Sequence, residues 1–283
     1  HLFSNLYNDY FDVTHGTDEA NTEYFNAGMN SSMLKGAQLS GGSRAVELGL
    51  ITLKGTKSLA NIMFMFGLLT AAGILYISYL NTGSTSNSYH SAIIALIGVL
   101  IGYFYTAKPI KLSSRYGLGE IAIFLSFGPL LTLGSGFAIS METIQLFSNE
   151  FYNLMILGVP IGLLTTNILF INQFPDYTSD KKVGKNHLVV LFGKKASRWI
   201  YAINLALATG SLYYMAVENI VNETQDSLFL YVLIPITIIY SFYLISGLFK
   251  YYNNRKLIKY NIHTIYFHML FSFIYMIILA NFQ

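Results

Sequence analysis

The chain has 283 residues, of which 53% are hydrophobic and 11% charged. Soluble globular domains carry charge on about a quarter of their residues, so a soluble fold of this size would lack the charge to cover its surface. The 22 Tyr and 21 Phe exclude a disordered or linker segment. Absence of cysteine removes disulfide frameworks, zinc ribbons and iron–sulfur sites, and a net charge of +3 is too small to argue for nucleic acid. The class that remains is an all-α, polytopic transmembrane helical bundle.

Taken in chain order, the sequence opens with Leu2, Phe3, Leu6 and Tyr7, which read as the last turns of a helix that begins upstream. Seven apolar runs follow, at about 59–80, 90–107, 119–140, 151–173, 199–217, 228–248 and 263–281. Each is long enough to cross the ~30 Å of bilayer hydrocarbon. Their Pro and Gly residues (Pro129, Pro160, Pro235, Gly134, Gly136, Gly158, Gly162) predict kinks or close helix approach.

All 17 Lys and Arg fall on one side of this arrangement. They sit before the first span, in the loop after the second (Lys108, Lys111, Arg115), in the loop after the fourth (Lys181 to Arg198) and in the loop after the sixth (Lys250 to Lys259). Segments 81–89, 141–150 and 218–227 and the C-terminus hold none. Positive charge marks the cytoplasmic side. The C-terminus is therefore expected outside, in a protein of the cell membrane. The same loops carry the acids, amides and glycines, so chemistry is expected at the cytoplasmic face.

Two oxygen-rich clusters stand at helix ends on that face. In NDYFDVTHGTD, Asn8 and Asp12 are four apart and share a helix face, while Gly16 ends the helix and lets Asp18 fold back. Asp9 points off that face. In INQFPDYTSDKKVGK, Asn172, Asp176 and Asp180 form one stripe, with Pro175 inside it as a site for a bend. Hard oxygen donors suit Mg²⁺ or Mn²⁺, and Mg²⁺ is usually held by few carboxylates together with water and phosphate. Carboxylates alone repel a diphosphate, and the cation reverses that sign.

The third element is YFYTAKPIKLSSRYGLGE. Lys108, Lys111 and Arg115 are candidate phosphate ligands, and the Tyr105 ring could face a carbocation. Read alone, the segment is equally a positive-side loop with an interfacial tyrosine. Glu120 reads as an acid at a helix N-terminus. Gly41, Gly42 and Ser43 before Arg44 form either an anion-binding nest or a simple turn. Gly184 and Lys185 read as a turn followed by another phosphate-facing cation. The histidines carry no ligand spacing. His15 and His187 lie near the acids, and His90, His263 and His268 read as interfacial or packing residues.

On these residues the sequence resembles the UbiA superfamily of intramembrane aromatic prenyltransferases. Asn8, Asp12 and Asp18 match that family's first acidic motif, Asp176 and Asp180 its second, and the Tyr105–Lys108–Lys111 segment its intervening loop. The segments NDYFD, YTAKPIKLSSRYGLGE and FPDYTSDKKVGK look most like the menaquinone branch, which prenylates 1,4-dihydroxy-2-naphthoate. The resemblance implies nine helices, so that 1–283 is a single transmembrane domain with helix one and most of helix two lying upstream. It implies that Asn8, Asp12, Asp18, Asp176 and Asp180 hold Mg²⁺. It further implies a polyprenyl diphosphate, bound with the help of Asn8, Arg44, Lys108, Lys111, Arg115, Asn172 and Lys185. Its partners would be the aromatic acceptor and membrane lipid. Acceptors of the 4-hydroxybenzoate or homogentisate type are the alternative, and an ion-coupled carrier is the competing class. Acids gathered at one face, away from the midplane, count against the carrier.

Overall fold

A computed structural model describes residues 2–14, 45–46, 49–221 and 227–280. Among them the regular structure is helical, apart from one isolated bridge between Arg115 and Asn186. In order the helices are α1 (Leu2–Thr14), α2 (Leu53–Thr82), α3 (Thr85–Phe104), α4 (Leu118–Phe127), α5 (Pro129–Ile139), α6 (Asn149–Lys182), α7 (Leu188–Val221), α8 (Ser227–Tyr251) and α9 (Ile258–Ala280). Their starts are set locally. Thr52, Ser84 and Ser148 cap α2, α3 and α6 by accepting from the amides of Gly55, Ser86 and Phe151. In α6, Glu150 in the first turn and Lys181 and Lys182 in the last complement the helix dipole.

Six of the seven expected spans are long and apolar enough to cross a membrane. The run expected at 119–140 is one of them, yet it is broken at Gly128–Pro129 into α4 and α5. The seventh lies within α7, which is kinked at Gly193 (φ +75°), and its apolar run is diluted by Asn204, Thr209, Gly210, Ser211 and three tyrosines. α7 packs between α6 and α8 along the core. The chain is an integral membrane protein.

α6 is shared by two groups of helices. On one side it packs on α7 and α9, which with α8 enclose a core that includes Phe170, Phe174, Tyr201, Leu205, Phe267 and Phe271. Lipid is as apolar as these side chains, so polar contacts help to fix the packing. Asn167 donates to the Tyr201 carbonyl at 3.0 Å and accepts from Asn204 at 3.1 Å. The Tyr201 and Thr264 hydroxyls lie 2.7 Å apart. His268 bonds Thr165 and His263 bonds Tyr240, both as packing residues.

On its other side α6 meets α4 and α5 through backbone. Gly158 and Gly162 form a small-xxx-small pair set against Gly128. A Cβ on Gly128 would stand 2.7 Å from the Gly158 carbonyl oxygen and 2.9 Å from the Gly162 Cα. The expected close approach is therefore present, and it falls where the span breaks. α6 itself runs unbroken through Pro160 and Pro175. α1 packs on α2 and α3, and Tyr7 donates to Asn61 at 2.6 Å.

Candidate active site at the charged helix ends

The end of α1, the start of α2, the α3–α4 loop, the α6–α7 loop and the α8–α9 loop meet at one face. Lys57 lies over the Tyr10 ring, and Arg198 lies between Phe249 and Tyr252 while donating to the Phe249 carbonyl. For the basic residues among those described, the charge asymmetry read from sequence is thus a spatial face.

Two loops are fastened together there. In residues 105–117 the amides of Lys111 and Ser113 donate to the carbonyls of Ala107 and Tyr105. Arg115 Nη2 donates to the Pro109 carbonyl at 2.7 Å. Gly117 has φ +86°, and a Cβ on it would stand 2.5 Å from Leu188. In the second loop Gly184 takes φ +73°, which lets the Lys185 amide return to the Asp180 carbonyl at 2.9 Å. The Asn186 amide donates to the Ser114 carbonyl. Glu120, 3% exposed in the first turn of α4, accepts at Oε1 from Gln173 Nε2 and from the Leu188 amide, both at 2.9 Å. Its Oε2 has no partner among the described residues.

This bracket sets the acids and cations. Asn8 accepts from the Thr106 hydroxyl at 2.7 Å, tying α1 to the α3–α4 loop. One turn on, burial pushes the Asp12 carboxyl above the usual carboxylate range; Lys185 and Lys111 oppose that push, and Asp9 and Asp180 add to it. Burial lowers the Lys111 ammonium, Asp12 pulls it back up, and Lys108 and Lys185 lower it further. Asp180 is 7% exposed. Its Oδ1 lies 3.8 Å from Lys185 Nζ and its Oδ2 accepts from His187 Nε2 at 2.9 Å. The half-buried Tyr105 lies in the field of Glu120, Asp12 and Asp180. Two acids more than 160 positions apart in sequence thus act on one tyrosine, Tyr105, and on one lysine, Lys185.

Of the residues singled out from sequence, the structure brings together Asn8, Asp12, Tyr105, Lys108, Lys111, Asp180 and Lys185. Asp176 lies one turn before Asp180 on α6. Asn172 turns to the last helix, where Asn261 donates to its Oδ1 at 2.7 Å. The described bond of Arg115 is to its own loop. Asp18 and Arg44, with the glycine pair before Arg44, lie outside the described residues. Among the described residues no three His, Asp or Glu side chains converge on one point. The donors present are hard oxygens, the set that suits a divalent cation completed by water and phosphate.

Sequence reasoning passed over His187, for want of ligand spacing, and the reach of Glu120 across the bracket. A signal for His187 was present: the Gly184 turn folds position 187 back onto 180. A separate cavity of about 290 Å³ opens between α2, α3 and α4–α5, lined by small and apolar residues such as Ala71, Ile74, Ala95 and Leu130.

Fold and site together define a polytopic membrane protein with paired acids and lysines at the mouth of its bundle. The UbiA prenyltransferase family model matches residues 1–274, and the chain belongs to that family. It is 26% identical over 224 residues to a 1,4-dihydroxy-2-naphthoate octaprenyltransferase of Haemophilus influenzae, covering 79% of this chain and 64% of that one. It is 26% identical over 207 residues to the Bacillus subtilis protein of the same description (73% and 56%). It is 32% identical over 169 residues to a 2-carboxy-1,4-naphthoquinone phytyltransferase of Synechocystis (58% and 48%). The chain spans about half to two thirds of the length of these relatives. No solved structure matches it.

Proposed function

We propose that the chain transfers a polyprenyl group from a polyprenyl diphosphate to an aromatic acceptor, 1,4-dihydroxy-2-naphthoate, in a Mg²⁺-dependent reaction at the cytoplasmic face. The observation that carries this reading is the joint field of Asp12, Asp180, Lys111 and Lys185 at one end of the bundle, in a chain of this family. The acceptor follows the relatives' descriptions.

Lys111 and Lys185 offset the charge of the diphosphate and of the leaving group as the C1–O bond ionises, its electron pair going to the diphosphate oxygen. Asn8, Asp12, Asp18, Asp176 and Asp180 would hold Mg²⁺, which supplies Lewis-acid stabilisation of that charge. Lys108 extends the cationic loop toward the diphosphate, with Arg44 as a further phosphate ligand. Tyr105 presents an aromatic ring to the allylic cation. The ring carbon bearing the carboxylate attacks C1, and carbon dioxide leaves as the C–C bond replaces it, giving a prenylated naphthoquinol and pyrophosphate. The apolar helices accept the isoprenoid chain and exclude water, which would quench the cation.

The test uses membranes containing the full protein, Mg²⁺ and a polyprenyl diphosphate, with each of 1,4-dihydroxy-2-naphthoate, 4-hydroxybenzoate and homogentisate. A decarboxylated prenyl product from the naphthoate alone is expected. Product from another acceptor would move the acceptor assignment, and no product from folded protein would overturn the proposal.

A further inference from the structure

We infer that His187 is a positioning residue for Asp180, holding one carboxylate oxygen so that the other is presented to the cation of the site. The inference rests on the reading of Asp180 under Proposed function. His187 stands just before α7, 1% exposed, and its two ring edges have two partners. The Val190 amide donates to Nδ1 at 3.3 Å, so Nδ1 presents its lone pair and the proton of the neutral ring is on Nε2. Nε2–H then donates to Asp180 Oδ2 at 2.9 Å. Water is shut out of this bond, which strengthens it.

Asp180 is thereby held at two points. Its carbonyl takes the Lys185 amide, and its Oδ2 takes the imidazole. Oδ1 is left facing Lys185 Nζ at 3.8 Å, beyond hydrogen-bond length, and is the oxygen available to a cation. A small residue such as Ser or Asn could cap α7 from position 187 by accepting from the same Val190 amide. Neither would reach Asp180. The imidazole serves both partners with opposite edges, and this separates a capping role from a positioning role by experiment.

His187→Asn keeps an acceptor for the Val190 amide and loses the reach to Asp180. His187→Gln keeps a donor at that reach and caps poorly. Mn²⁺ binding to the full chain in nanodiscs, in the presence of inorganic pyrophosphate, is followed by electron paramagnetic resonance, alongside thermal unfolding. For His187→Asn we expect protein that still folds, with an Mn²⁺ affinity lowered about 10- to 100-fold, the effect typical of outer-shell partners. For His187→Gln we expect affinity within a few-fold of native and a lowered midpoint. Native affinity in His187→Asn, or equal loss in both variants, would overturn the inference. Asp180→Asn is the control that tells the two readings apart. If it abolishes Mn²⁺ binding while His187→Asn binds with native affinity, only the role of His187 fails. If the unaltered protein binds no Mn²⁺, the reading of Asp180 as a cation ligand fails and this inference fails with it.

Discussion

Glu120 Oε1 and the Leu188 amide lie 2.9 Å apart across 68 positions of sequence, and the same oxygen takes Gln173 Nε2. One buried carboxylate therefore joins the N-termini of α4 and α7 to the flank of α6. Two donors and two helix dipoles compensate its charge. Removing it strands both donors. We expect Glu120→Ala to cost about 1–3 kcal/mol for each stranded group, seen as a lowered thermal midpoint in detergent. An unchanged midpoint would show that the bracket is not held by this residue.

Asp12→Asn and Asp180→Asn test the chemistry without altering shape. Each keeps the volume and loses the charge. We expect folded protein with product formation reduced by at least about 100-fold, corresponding to roughly 3 kcal/mol of barrier. Turnover near normal in either purified variant would remove the acids from the reaction.

The glycine contact between α4–α5 and α6 predicts the reverse pattern. Gly158→Ala introduces a Cβ 2.5 Å from the Gly128 carbonyl carbon. Backbone cannot yield as a side chain does, so overpacking of about 1–3 kcal/mol is expected. Thermal unfolding should drop while activity per folded molecule stays within a few-fold of native. A larger loss of specific activity at unchanged stability would relocate the role of this contact.

Chelation offers a fourth check. EDTA should abolish prenyl transfer, and Mg²⁺ or Mn²⁺ should restore it. Activity that survives exhaustive chelation would exclude the cation from the proposal.

The span pattern was legible because hydropathy and charge asymmetry act over whole segments. The 17 basic residues mark one face before any contact is known. Asp12 and Asp180 were legible through helical spacing, and Lys111 and Lys185 through the chemistry that acids of this kind require. What escaped depends on a turn or a single atom. Nothing in Glu120 alone reveals that it meets Leu188. The break at Gly128–Pro129 is written in sequence as a proline, but its purpose appears only when Gly158 and Gly162 lie against it. Asn172 shares the stripe of Asp176 and Asp180, yet its bond to Asn261 is settled by the last helix, which periodicity cannot foresee.

The seam at Gly128, Gly158 and Gly162 also governs traffic. Where the Gly128 backbone touches the backbone of Gly158 and Gly162 there is no gap for a chain of methyl-branched hydrocarbon. A long apolar molecule approaching the acid-bearing mouth from the bilayer would not pass between the helices at this point. At the level of Gly128 the wall between α4–α5 and α6 is closed, and the same helix that closes it carries Asp176 and Asp180 to the mouth.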